Sequence, residues 1–258
     1  EVYLMLGFTY RDMGDETKGL EYFLMAKESA EKYVIPDNMP TILNEIGNLY
    51  STLGNIDKGL DYQMKALEMR MADKDTVMIG YSYNDIANSF FLLKDYSRSI
   101  KFFNKSLDLH RMLNNQWGAF YSYLNIAQAH NGLKQFSKQK SVLDSALIIA
   151  ERLQLNTVYK SYYENSTLFY ESTGDFRNAY EDCKRFFFYY DTLNREQAAK
   201  QIALINAGYE LNNKDLELAR RDSQNQKLKL ITVIAILCLA FLVFVTILLV
   251  RSYNIKKK

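Results

Sequence analysis

Proline is nearly missing from this chain, with two residues in 258, and cysteine and histidine are as scarce at two each. So little Pro, with eleven Gly, excludes a collagenous or low-complexity chain. A composition 48% hydrophobic and 14% aromatic excludes a disordered one. Cys183 and Cys238 lie in stretches of opposite polarity, so no disulfide is expected. Charge of one sign is also lacking: 32 basic against 30 acidic side chains leaves +2, too balanced for a nucleic-acid partner. His110 has no Cys or second His at ligand spacing, and His130 takes a packing position, so no metal is expected. There is no Gly-rich phosphate loop, Gly-x-Ser-x-Gly elbow or phospho-acceptor box, so no cofactor, catalytic residue or enzyme activity is expected of these residues. Asn104-Lys105-Ser106 and Asn165-Ser166-Thr167 match glycosylation sequons but fall within expected helices, and are read as chance matches.

What is present is a repeat with a period of 40. One column reads Tyr3, Leu43, Tyr83, Tyr123, Tyr163. Three residues later comes Leu6, Ile46, Ile86, Ile126, broken by Ser166, and then the small column Gly7, Gly47, Ala87, Ala127, Thr167. An aromatic column, Tyr10, Tyr50, Phe90, His130, Tyr170, completes one helix face. A turn follows at Gly14-Asp15, Gly54-Asn55, Lys94-Asp95, Lys134-Gln135 and Gly174-Asp175, where Gly suits a left-handed helix end and Asp or Asn can cap the next helix. The second helix has its own small columns, Gly19, Gly59, Ser99, Gln139, Ala179 and Ala26, Ala66, Ser106, Ala146, ending at Phe186. Five helical hairpins are expected, over 1–38, 39–78, 79–118, 119–158 and 159–195.

This order of aromatic, apolar, small, Tyr, Gly-Asp/Asn, small and Ala positions resembles the tetratricopeptide repeat. The family's common period is about 34 residues, so the helices here should be longer, and the usual proline closing each repeat is missing. The resemblance implies an all-α, right-handed superhelical solenoid that binds protein segments and does no chemistry. Its groove would be lined by Leu4, Asn44, Asn84, Leu124 and Glu164 in one row and Phe8, Asn48, Asn88, Gln128 and Leu168 in the next, with Tyr81, Phe91, Tyr121 and Asn131 beside them. Two readings of these groups stand. Asn44, Asn48, Tyr81, Asn84, Asn88, Tyr121, Gln128 and Asn131 hold an extended peptide through carboxamides and aromatic area, or the carboxamides solvate the face and bond between hairpins. The lysines that accompany such asparagines in carboxylate-gripping members of the family are missing, which disfavours a chaperone-tail receptor.

From Leu230 to Val250 runs a stretch with no charge, Pro or Gly, long enough as a helix to span about 30 Å, and a single transmembrane helix is expected there. Arg251, Lys256, Lys257 and Lys258 follow with no acid among them, whereas Arg220, Arg221, Lys227 and Lys229 before the run are diluted by Asp215, Glu217 and Asp222. That density places the tail, 251–258, in the cytoplasm and the repeats outside it. Residues 196–229 are expected to form a linker helix. Ile202, Tyr209 and Leu216 recur every seven residues beside Ile205 and Ala219, a weak coiled-coil pattern interrupted by Asn212, Ser223 and Gln226, through which a homodimer could form. The chain starts with Glu1 inside a repeat and is read as a fragment. The whole arrangement resembles the extracytoplasmic half of tetratricopeptide sensor proteins of Bacteroidetes-type bacteria, in which a histidine kinase or a helix-turn-helix regulator follows the span. The expected function is a membrane-anchored interaction domain serving as the sensory or scaffold part of such a protein. The alternative is a tail-anchored adaptor with cytosolic repeats.

Overall fold

The computed structural model describes residues 1–33 and 38–256, with the backbone alone for 229–231 and 233–256. The described residues form helices and no strand. They pair as α1 (Val2–Asp12) with α2 (Glu16–Lys32), α3 (Met39–Thr52) with α4 (Ile56–Ala72), α5 (Thr76–Leu92) with α6 (Tyr96–Met112), and α7 (Gln116–Gly132) with α8 (Phe136–Leu153). α9 (Asn156–Thr173) follows, and α10 runs Phe176–Lys256. Each hairpin's second helix packs on the first helix of the next hairpin from α2 on α3 to α8 on α9, and α3 also meets α5 and α7 meets α9. The result is a tetratricopeptide-like helical solenoid. By internal contacts the chain divides into two units, Glu1–Leu193 and Asn194–Lys258.

The turns use one device whether or not a glycine is present. Gly14, Gly54 and Gly174 are left-handed with φ of 79°, 90° and 77°, and so are Lys94 and Lys134 at 59° and 55°. The turns between hairpins repeat it at Lys74, Asn114 and Gln154, with φ of 56°, 52° and 49°. Side chains then cap the next helix: Asp15 accepts from the Lys18 amide, Asp75 from Met78, Asp95 from Arg98 and Asn115 from Gly118. Asn55 and Gln135, at the same position, make no side-chain cap bond.

The repeat columns become the core. Ala66 and Ala146 on second helices and Ile46 and Ile86 on first helices are essentially inaccessible, joined by Phe23, Phe103, Leu143 and Phe120, which belong to none of the columns read from the sequence. The small columns permit close approach within hairpins. A Cβ placed on Gly59 would lie 2.7 Å from the Gly47 carbonyl oxygen and 3.0 Å from the Ser51 amide. Phe186, which ends the column Ala26, Ala66, Ser106, Ala146, is half-buried and stacks on Tyr190 at 6.0 Å.

Among the described residues no helix is long and apolar enough to cross a membrane. The run 230–250 belongs to the backbone of α10, but apart from Thr232 its side chains lie outside the described residues, as do the side chains of 251–256 and the whole of 257–258. In the second unit the described apolar side chains at 202, 205, 209 and 216 are all exposed.

Candidate ligand-binding face

The first helices carry a polar seam that the sequence reading only half locates. At its centre is Asp85 of α5. Asn44 Nδ2 of α3 donates to Asp85 Oδ2 at 2.7 Å, and the side chains of Asn48 and Asn84 also bond this carboxylate. Asn48 is tied further: its Oδ1 accepts from Gln63 Nε2 of α4 at 2.7 Å. Gln63 Oε1 accepts from Ser89 Oγ at 2.8 Å, and Ser89 in turn meets Ser51 Oγ at 2.8 Å. In the other direction Asn125 Nδ2 of α7 donates to Asn84 Oδ1 at 3.0 Å. Gln128 Nε2 donates to Asn165 Oδ1 of α9 at 2.8 Å, and Asn165 Nδ2 closes on the Ser161 carbonyl. Hydrogen bonds therefore run from hairpin to hairpin between groups that would cost free energy if buried unpaired.

Charges accompany the seam. Arg11 Nη1 of α1 donates to Glu45 Oε2 of α3 at 2.6 Å. Arg70 of α4 is buried, with Nη1 donating to Ser82 Oγ at 2.6 Å. Burial raises the Asp85 carboxyl above the usual range, against the pull of the three asparagines and Arg70. Burial likewise raises Glu45, although Arg11 acts the other way. Desolvation lowers Arg70, countered by Asp85, Asp75 and Glu45. Asn44 Oδ1 is buried with no partner among the described residues, so a protonated Asp85 would find an acceptor there once the Asn44 amide flips.

The eight expected groove residues therefore separate. Asn44 is buried at 4% exposure, and Asn48, Asn84 and Gln128 are half-buried and engaged in the seam. Leu124, expected on the groove face, is 2% exposed in a core cluster with Phe120, Leu143 and Val158, because its helix rolls that row against α8 and α9. Asn88 is exposed and Asn131 half-buried. Tyr81 is exposed, its ring edge 5.1 Å from the His110 ring and its hydroxyl 3.4 Å from Asn115 Nδ2. Tyr121 is half-buried with Trp117 5.2 Å away, and Trp117 is exposed. Tyr81 near the start of α5 and the Trp117–Tyr121 pair near the start of α7 thus present aromatic surface on successive first helices, with amides of Asn88 and Asn131 farther along the same helices. Trp117 was not singled out in the sequence, and neither was Asp85. A signal existed for the latter: the column Glu45, Asp85, Asn125, Asn165 is polar beside an apolar interior.

The histidines are interior groups. His130 is 8% exposed with Nδ1 3.0 Å from Gln135 Oε1, and His110 is 2% exposed; burial lowers the pKa of both. Among the described residues no group of three or more His, Cys, Asp or Glu side chains could hold a metal ion.

Comparison with known proteins agrees with the architecture. No curated protein matches the chain significantly in sequence. Its structure is similar to that of aspartyl phosphate phosphatase F from Bacillus subtilis, with TM-score 0.66 and 15% identity over 74% of this chain and 50% of that one. It is also similar to a Rap protein complexed with Competence and Sporulation Factor, with TM-score 0.64 and 14% identity over 72% and 52%. A third similar structure is the STAND signal-transduction ATPase with a tetratricopeptide repeat sensor from Pyrococcus horikoshii, with TM-score 0.56 and 21% identity over 72% and 29%. The chain thus spans about half or less of these three proteins. At such identities the likeness concerns the fold. Residues 1–33, 40–71 and 80–110 match the family model of the tetratricopeptide repeat, and the chain carries tetratricopeptide repeats there.

Proposed function

We propose that the repeat array binds a peptide or protein segment along the first-helix face, as the sensory or scaffold part of a membrane-anchored bacterial signalling protein. The observation that carries this is the aromatic surface of Tyr81, Trp117 and Tyr121 on two successive first helices, left accessible while the polar seam engages most of the carboxamides. Rigid aromatics supply contact area at low entropic cost, and Asn88 and Asn131 can meet a ligand backbone. The seam's role is to hold neighbouring hairpins in register, so that the aromatic surfaces of successive first helices are presented together. A Rap protein has been crystallised with Competence and Sporulation Factor, and a signalling ATPase carries such repeats as its sensor, which supports the reading by analogy.

The uncharged run 230–250 anchors the protein, the basic tail lies in the cytoplasm, and the repeats lie outside it. The helix of 194–228, with Ile202, Ile205, Tyr209 and Leu216 exposed, pairs with a second copy as a short coiled coil. A histidine kinase or helix-turn-helix output would follow the span. The test is to pan a random-peptide display library against the full chain in lipid nanodiscs. Selected peptides should bind the wild type in the micromolar range and lose about tenfold or more with Tyr121→Ala, as a truncated aromatic anchor does. Peptides indifferent to Tyr81→Ala, Trp117→Ala and Tyr121→Ala together would rule out this face. A cysteine introduced by Lys138→Cys should react with an impermeant thiol reagent in intact spheroplasts; protection there and reaction after lysis would reverse the orientation.

A further inference from the structure

A cavity of about 330 Å³ opens between the third and fourth hairpins, bounded by the end of α6, the start of α7 and the last turns of α8. Its lining is mixed. Ala119, Tyr123, Ile148 and Ile149 supply apolar surface and Arg111 and Arg152 supply positive charge, with His110 and Ser145 also in the lining. No acidic side chain lines it, and among the described residues neither guanidinium is in an ion pair, although both are exposed. Ile148 is 52% exposed, an apolar surface that faces the opening with no cover among the described residues.

The repeat provides its own comparison, because the same junction is built again 40 residues earlier and 40 later. Earlier, the places of Arg111 and Arg152 hold Met71 and Met112, that of Ala119 holds Ile79, and that of Ile148 holds Asp108. Later they hold Glu151, Thr192 and, for Ala119, Tyr159, which stacks on Tyr189 at 5.1 Å. Only the middle junction of these three combines a small residue that opens space with two cations that face it. The two exposed arginines take no part in the packing that the neighbouring junctions share, whereas Ala119, 4% exposed, also packs in the core with Phe103, Leu107 and Ile126.

His110 lines the same space in one tautomer. Its Nδ1 lies 3.3 Å from Asn115 Nδ2, so the ring accepts there and the neutral tautomer carries its proton on Nε2. The ring is wedged against Gly118, where an added Cβ would lie 2.5 Å from Nδ1, so it is held in one orientation.

We infer that this cavity is a binding site for a small organic anion, a carboxylate on an apolar or aromatic body. The carboxylate sits between the Arg111 and Arg152 guanidiniums, whose planar forks suit it, and the body lies on Tyr123, Ile148 and Ile149. The volume is at the lower end of small-molecule pockets, of roughly 300–1,000 Å³, which fits a free acid better than a chain terminus. Tyr81 touches His110 and Asn115 of the lining, but Arg111, Arg152 and Ile148 take no part in the proposed peptide surface, so substitutions at these three test the cavity apart from the peptide reading.

The chain's single tryptophan, Trp117, adjoins Gln116 of the cavity lining and serves as reporter. Full chain in nanodiscs is titrated with phenylacetate, with its neutral analogue phenylacetamide, with inorganic phosphate and with Gly-Gly-Phe, by Trp117 fluorescence and by calorimetry in parallel. Phenylacetate should bind saturably below about 10 mM, the weak end of small-ligand affinity. Each of the other three should bind about tenfold more weakly or not at all, for lack of charge, of apolar body or of room. Arg111→Met and Arg152→Met, which install the residues of the preceding repeat, should each weaken phenylacetate about tenfold. Ala119→Ile, also taken from that repeat, should abolish binding by filling the space. If any variant loses its helical circular dichroism, Ile148→Asp, the residue at 108, replaces it and should abolish binding by pairing with the arginines. Absence of saturable binding by both methods overturns the proposal, as does equal binding of phenylacetamide or phosphate, tighter binding of Gly-Gly-Phe, or indifference to Ala119→Ile.

Discussion

Residues 1–193 and 194–228 contain the same kinds of apolar side chain at helical spacing, and their fates are opposite. In the first unit Phe23, Ile46, Ile86 and Phe120 are wholly buried. In the second, Ile202, Leu204, Ile205, Tyr209 and Leu211 are between 60% and 73% exposed. The difference is that each array helix meets a neighbour at a column of small residues, whereas 194–228 is a helix without such a counterpart among the described residues. Periodicity announces a face; burial requires a second face to receive it. Within the second unit the side-chain support is local, such as Arg221 with Glu217 at 2.7 Å, an exposed pair worth roughly 0.3–0.5 kcal/mol.

The largest effect that would sharpen this contrast is expected from Gly59→Ala. The added methyl meets the Gly47 carbonyl at 2.7 Å, and backbone must move, which should cost about 3 kcal/mol and disturb the bonds joining Ser51, Ser89 and Gln63. Hydrogen exchange should quicken through α3–α6 while 194–228 exchanges as before. Strong protection of 194–228 in the wild type would show that a second copy covers the face left bare in the single chain, as the coiled-coil pairing requires, and ready exchange there would remove that pairing.

Asp85→Asn comes next. A carboxyl whose pKa is higher in the folded than in the unfolded chain favours the fold when protonated. Its contribution is therefore complete below the ordinary carboxylate range and is lost as pH rises through the raised folded value. His110 and His130, lowered by burial, act in the opposite sense as pH falls, so the comparison with the variant isolates the carboxyl. The amide keeps an acceptor for Asn44, and the variant should be more stable than wild type above neutral pH by about 1 kcal/mol, or roughly 2–4 °C in midpoint. That advantage should shrink toward acid pH, and a constant advantage across the range would remove the buried charge as its cause.

The smallest effect is expected from Lys134→Gly, at φ 55°. Glycine relieves a left-handed strain of about 1–2 kcal/mol but adds unfolded-state entropy, so a net gain of roughly 0.5–1 kcal/mol in urea unfolding is expected. The same change at exposed Lys214, in the helix of the second unit, should leave the array's midpoint unaltered.

Much of the fold was legible because the repeat writes each constraint several times. Ile46, Ile86 and Ile126 recur in one buried column, and Asp15, Asp95 and Asp175 recur at the cap, so a chance pattern is averaged away. The candidate site was less legible, since it depends on where the repeats differ. Asn48 and Asn88 occupy one column, yet Asn48 accepts from Gln63 and Asn88 is exposed. Across these hairpins a carboxamide reads identically as a ligand group or an internal bond until its neighbour is known.

The sequence alone therefore determined the helices, their pairing into hairpins and the positions of turns and caps, because these follow from propensity and local spacing repeated along the chain. Only the tertiary structure decided which polar groups face each other across hairpins. It made Asp85 the centre of the seam, left Tyr81 and Trp117 accessible, and turned Ala119, Arg111 and Arg152 into the walls of one cavity. The physical reason is that hydrogen bonds and cavities are relations between side chains on different helices, and a difference of one residue at a junction changes what its neighbour can do.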